Sequence, residues 1–99
     1  MWVKEDIPIY LERINWFAKE RGLIASIYGS VLIKGYSEHD LDILVVKYVD
    51  NPDIDLFIKD ICVYFKANLI DKYKGLFADA YLIDINGKRL DVSIRRENA

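Results

Sequence analysis

Apolar residues change their spacing repeatedly along the 99-residue chain, and each change marks an element. Ile7, Tyr10, Leu11, Ile14, Phe17 and Ala18 recur at three- and four-residue intervals, which places them on one helix face. The spacing predicts a helix capped by Asp6, with Pro8 in its first turn and a stop at Gly22 after Arg21. Residues 23–28 form an apolar, β-branched run of strand length ending at Gly29. Ser30 is then placed to cap a short helical turn from Val31 to Lys34, closed by Gly35. A polar connection, residues 36–39, leads to a second strand running from Asp40 to about Tyr48.

Asp50-Asn51-Pro52-Asp53 combines a capping side chain, proline and acidic residues, a strong helix start. The helix is predicted to reach about Lys72, with Ile54, Phe57, Ile58, Ile61, Phe65 and Leu69 on one face. Leu56, Val63, Ala67 and Ile70 fall on the opposite face, and Ile9 and Trp16 do the same on the first helix. After Lys74-Gly75 the period drops to two, and residues 77–85 and 88–94 flank Asn86-Gly87, the signature of a type I′ hairpin. That turn sets the register: Ile85 opposes Lys88, Asp84 opposes Arg89, Ile83 opposes Leu90 and Leu82 opposes Asp91. Ile83, Ile85, Leu90, Val92 and Ile94 then share one face, and Asp91 lies on the other.

The same alternation sends Asp40 and Asp42 to one side of their strand and Leu41, Ile43 and Val45 to the other. If the helices cover the apolar face, Asp40, Asp42 and Asp91 meet on the open one. Neighbouring carboxylates resist ionising together, and a hard divalent cation with oxygen ligands, such as Mg²⁺, resolves the conflict. Gly29 lets another backbone or a ligand approach closely, and Ser30 with the amides of its turn suits phosphate. This constellation fits two-metal phosphoryl chemistry.

Composition narrows the partners. One domain spanning residues 1–99 is expected, and 53% hydrophobic residues suffice for a small core. A net charge of −2 argues against a broad nucleic-acid surface. No run approaches the roughly 18 apolar residues of a membrane span. Lys4, Glu5 and Asp6 stand where a signal peptide would be apolar, so a cytoplasmic location is expected. Cys62, the single cysteine, reads as a small core residue. No Walker-type loop or Cys/His metal cluster is present.

Gly29-Ser30, nine intervening residues, Asp40-Leu41-Asp42, and later Leu90-Asp91-Val92 together resemble the signature of the DNA polymerase beta nucleotidyltransferase superfamily, most closely its minimal nucleotidyltransferase branch. The resemblance implies an α+β, two-layer fold: a mixed four-stranded sheet with helices on one face. It further implies two Mg²⁺ ions and transfer of a nucleoside monophosphate from an NTP, with ATP the expected donor, to a hydroxyl-type acceptor. By matching positions, Asp40, Asp42 and Asp91 would be catalytic and hold the metals, and Gly29, Ser30 and Lys34 would bind the triphosphate. The chain departs from the pattern at Val31, where a basic residue is usual, and at His39, where serine commonly precedes the first Asp. The alternative is a regulatory nucleotide-binding module with weak or no catalysis. The second apolar stripes predict a partner, either a helical HEPN-type protein, as in antitoxin-like members of the branch, or a second copy in a homodimer.

Overall fold

A computed structural model describes residues 1–96. In chain order it contains β1 (Trp2–Val3), a 3₁₀ turn (Lys4–Asp6), α1 (Ile7–Glu20), β2 (Leu23–Tyr28), α2 (Ser30–Lys34), β3 (Tyr36–Ser37) and β4 (Asp40–Lys47). α3 (Ile54–Phe65), β5 (Asn68–Lys74), β6 (Ala78–Ile85) and β7 (Lys88–Arg95) complete it. The main sheet has the order β2-β4-β7-β6-β5, and β1 pairs with β3 separately. β4 and β7 run parallel, and every other neighbouring pair is antiparallel.

The hairpin forms in the register that Asn86-Gly87 dictates, with Ile85 opposite Lys88 and Leu82 opposite Asp91. Asn86 (φ 52°) and Gly87 (φ 84°) both hold the positive φ of a type I′ turn. Alternation then builds a two-layer core. Leu41, Ile43 and Val45 of β4, Ile83 and Ile85 of β6, and Leu90, Val92 and Ile94 of β7 are buried beneath Ile14 and Ala18 of α1 and Phe57, Ile58 and Ile61 of α3. Cys62 packs half-buried against this core.

Two helix signals act differently from their sequence reading. Pro8 sits in the first turn of α1, but the Asp6 carboxylate accepts from the Val3 amide at 2.9 Å and so closes the preceding 3₁₀ turn. Asp53, one residue past Pro52, caps α3 by accepting from the Leu56 amide at 3.1 Å.

The larger correction is the sheet, which has five strands where four were expected, because α3 ends at Phe65 and not near Lys72. Lys66 turns left-handed (φ 52°, ψ 47°), and the Ala67 amide donates to the Cys62 carbonyl at 2.8 Å, a Schellman-type stop. Residues 68–74 then satisfy their backbone against β6, with a bulge between Leu69 and Asp71. The helical spacing of Leu69 and Ile70 was accidental: both belong to an exposed edge strand. Ala67 and Ile70 therefore leave the second helical stripe, while Leu56 and Val63 remain exposed on α3 and Ile9 and Trp16 on α1. Among the described residues no helix is long and apolar enough to cross a membrane.

A lysine in the left-handed region is strained relative to glycine, though glycine also adds entropy to the unfolded chain. Lys66→Gly is expected to raise stability by roughly 0.5–1 kcal/mol. Urea denaturation measures this, and a destabilised variant would show that the Lys66 side chain holds something its strained backbone conceals.

Candidate active site

The parallel β4–β7 register sets Asp42 directly beside Asp91 and Asp40 beside Arg89. On the other side, the antiparallel β2–β4 register sets Tyr28 beside Asp42. One row across three strands thus reads Tyr28, Asp42, Asp91 on the face away from the helices, with Asp40 one step further toward the strand ends. Carboxylate oxygens of Asp40, Asp42 and Asp91 lie within 4.8 Å of one another. The structure therefore brings Asp40, Asp42 and Asp91 together.

Crowding shows in their acidity. Burial, then the neighbouring Asp91 and Asp40 charges, push Asp42 from 3.8 up to about 6. Burial, then Asp40, push Asp91 up as well, while its bond from Ser93 and the charge of Arg89 partly oppose the rise. Asp40 Oδ1 is shut off from solvent yet accepts no hydrogen bond. Arg89 Nε stands 3.9 Å from it, beyond hydrogen-bond reach. An orphaned carboxylate oxygen inside a cluster of three is what a bound cation would satisfy, so the donor set fits an oxygen-ligated divalent ion such as Mg²⁺.

Gly29 lies against this cluster. Its backbone (φ 80°, ψ −153°) is open essentially to glycine alone, and a Cβ there would overlap Oδ2 of Asp42. Gly29 itself is the cap of α2, and Ser30 is the first helical residue with no side-chain capping bond. This corrects the capping role expected of Ser30: the helix begins one residue earlier than the sequence suggested, so Gly29 holds the cap position and Ser30 lies inside the first turn. Lys34 is exposed on the last turn of α2, and Gly35 closes that turn in the left-handed conformation. Val31, in the position next to Ser30, is buried in the core. His39 is exposed in the connection before Asp40.

Two participants escaped the sequence reading. The Tyr28 hydroxyl and Ser93 Oγ lie 3.2 Å apart, and Ser93 Oγ donates to Asp91 Oδ1 at 3.4 Å. Burial raises the Tyr28 phenol, and the three carboxylates add to the rise while the Ser93 bond opposes it, so the phenol stays protonated. The signal was available: period two from Leu23 puts Tyr28 on the open face, and two residues from Asp91 puts Ser93 there. Of the hairpin's other acids, Asp79 pairs with Arg96 on the helix side at 2.6 Å. Asp84 stands opposite Arg89, and its carboxylate accepts from the Gly87 amide at 3.4 Å.

The architecture is thus a mixed sheet covered by helices on one face, with three aspartates from two parallel strands on the other. Solved structures agree on the fold. The chain is similar to a cytoplasmic RNA terminal U-transferase (TM-score 0.65, 12% identity), which it matches over 97% of its own length and 29% of the other chain. It is equally similar to the Cid1 poly(U) polymerase in a structure with Mg and 3′-dATP bound (TM-score 0.65, 13% identity, 97% of this chain and 32% of that one). The chain thus spans about a third of the length of these neighbours. No protein-family model matches the sequence, and no curated protein is significantly similar to it.

Because the folded state holds a proton on Asp42 that the unfolded chain has released, ionising Asp42 costs stability as the pH rises between 3.8 and about 6. Asp42→Asn removes that cost. Without metal, the variant's melting temperature is expected to gain on the wild type's as pH rises through this window and to stay ahead above it. A difference that does not change with pH shows that Asp42 carries no such repulsion.

Proposed function

We propose that this chain is a metal-dependent nucleotidyltransferase domain that moves a nucleoside monophosphate from an NTP, with ATP as the donor, to a hydroxyl acceptor. The observation carrying this reading is the convergence of Asp40, Asp42 and Asp91 within 4.8 Å, with Gly29 pressed against Asp42. The fold shared with the U-transferase and the poly(U) polymerase supports it.

Each residue then has a task. Asp40 and Asp42 hold Mg²⁺, two ions in this reading, with Asp91 as the third ligand. When bound, Mg²⁺ neutralises charge on the phosphate oxygens. Gly29 and Ser30 hold the triphosphate through backbone amides and the Ser30 hydroxyl, which no cap occupies, and Lys34 adds charge toward its outer phosphates. Asp91 accepts the proton of the acceptor hydroxyl as its oxygen attacks the α-phosphorus and pyrophosphate leaves. Ser93, bonded to Asp91 and to Tyr28, fixes the direction of that carboxylate.

The acceptor comes from outside the chain in this proposal, on a helical protein partner or a second copy. Trp16 (59% exposed) and Val63 (69% exposed) on the outer faces of α1 and α3 favour such an association. Sedimentation of the wild type alone and with candidate partners, beside Trp16→Glu and Val63→Lys, tests it. Neither self-association nor partner binding that those variants weaken would leave the helical faces without this role.

A regulatory module that binds nucleotide with little or no turnover is the second reading. It is favoured by Val31, whose burial leaves the turn without a cation until Lys34. Titration of ATP with Mg²⁺, followed by a turnover assay, separates the two: metal-dependent binding with turnover is expected, and binding without turnover selects the module. Ser30→Ala is expected to weaken ATP binding while changing stability by no more than about 0.5 kcal/mol, since no cap is lost. Unaltered ATP affinity in this variant would remove Ser30 from the phosphate site.

A further inference from the structure

Trp2 is fully buried and far in sequence from the carboxylates, yet it is bonded to β7, which carries Asp91, and to β3, which leads into the strand that carries Asp40 and Asp42. Its backbone pairs with Ser37 in the β1–β3 ladder, Val3 pairs with Tyr36, and the Lys4 amide donates to the Gly35 carbonyl at 3.0 Å. Ser37 in turn accepts, through its hydroxyl, from the amides of His39 at 3.3 Å and Asp40 at 3.2 Å. The backbone of the first residues is therefore stitched to the segment that delivers Asp40 to β4. The side chain reaches the other strand: the indole Nε1–H donates to the Arg89 carbonyl at 2.7 Å. Arg89 is the register partner of Asp40 and stands two residues before Asp91.

The orientation of the indole is itself constrained. Tyr10 meets it edge-on with ring centroids 5.0 Å apart, and the Lys88 ammonium lies 5.0 Å from its centroid. The bond to Arg89 is shorter than most N–H···O bonds and is made from a side chain with no solvent access. It also sits where a tie is most useful. Asp40 and Arg89 form the first rung of the parallel β4–β7 ladder, so no earlier rung joins these two strand starts to each other, and three mutually repelling carboxylates crowd the same end.

We propose that Trp2 is a positioning residue for the carboxylate cluster, clamping the starts of β4 and β7 together so that Asp40, Asp42 and Asp91 stay at the spacing a divalent cation requires. The proposal rests on the reading of these carboxylates as a metal centre. A tryptophan that merely filled the core would set stability alone. A clamp also sets metal affinity, because an outer tie that orients the ligands lowers the cost of gathering them.

Trp2→Phe keeps an aromatic ring but removes the N–H donor. Ile61→Val shaves one methylene from the buried face of α3 and serves as a variant whose loss is stability only. Ser37→Ala cuts the other arm of the clamp, and stands in should Trp2→Phe not fold. Mn²⁺ binding is measured by calorimetry on the full chain without nucleotide, and amide hydrogen exchange is followed over residues 36–41 and 89–91. The clamp predicts that Trp2→Phe weakens Mn²⁺ binding about tenfold and speeds exchange in both segments. Ser37→Ala should do the same on the β4 side, and Ile61→Val should lower the melting temperature with Mn²⁺ affinity unchanged. Wild-type Mn²⁺ affinity in a folded Trp2→Phe, or in Ser37→Ala if the former does not fold, overturns the proposal. A wild type that binds no Mn²⁺ overturns the metal-centre reading instead, and the exchange data then judge the clamp by themselves: faster exchange in Trp2→Phe upholds it, and unchanged exchange removes it too.

Discussion

The parallel pairing of β4 with β7 is the constraint on which the site depends. It is the single parallel junction in a sheet otherwise joined antiparallel among the described residues, and it brings together residues about fifty positions apart in the chain. A parallel pair needs a crossover, and α3 with the β5–β6 meander supplies it. The register of this junction sets Asp42 against Asp91, and a slip by one residue would turn Asp91 into the core and Leu90 out to solvent. What holds the register is apolar burial on the helix side, where Leu41 and Leu90, Ile43 and Val92, Val45 and Ile94 stand rung by rung beneath the helices. The energy that crowds three carboxylates together is thus the energy of the core on the opposite face.

That division explains what could be read from the sequence and what could not. The hairpin register was legible because Asn86-Gly87 admits essentially one turn, and the faces of β4 and β7 followed from period two. From those faces the convergence of Asp40, Asp42 and Asp91 could be expected without knowing which strands were neighbours. The end of α3 was not legible: Leu69 and Ile70 continue a helical spacing, and the stop is made by Lys66, a residue with no intrinsic preference for the left-handed region. Tertiary pairing of residues 68–74 with β6 outweighed local pattern. The role of Ser30 was misjudged for a related reason, since the residue type suited a cap while the backbone of Gly29 had already taken that position. Trp2 carried no periodic signal at all, because a two-residue strand is too short to show one.

The edges of the sheet bear on how the chain can meet another protein. β2 is an edge strand, yet its Ala25 amide donates to Asn15 Oδ1 and its Ala25 carbonyl accepts from Asn15 Nδ2, both at 2.8 Å. One side-chain amide from α1 thus plays the part of a neighbouring strand and closes the middle of that edge. Adding a strand there would first break two hydrogen bonds, each with a net value of about 1 kcal/mol. The β5 edge is interrupted by its bulge and carries Lys72 and Lys74, the charged, irregular edge that resists pairing.

With both edges guarded, the surfaces left for association are the helix faces and the open face of the sheet. They are chemically distinct. The helix side presents Ile9, Trp16, Leu56 and Val63, and Arg13 is held between the Trp16 and Tyr64 rings at 5.1 and 4.6 Å from their centroids. The open face presents the carboxylate row, Tyr28 and Ser93. The core lies between them, so an apolar contact on the helix side can form without desolvating the carboxylates, and a cation can reach the carboxylates without displacing that contact. Among the described residues the helices pack on one face alone, so in the proposed reading the carboxylate row on the other face stays open to a second molecule that brings a hydroxyl to Asp91.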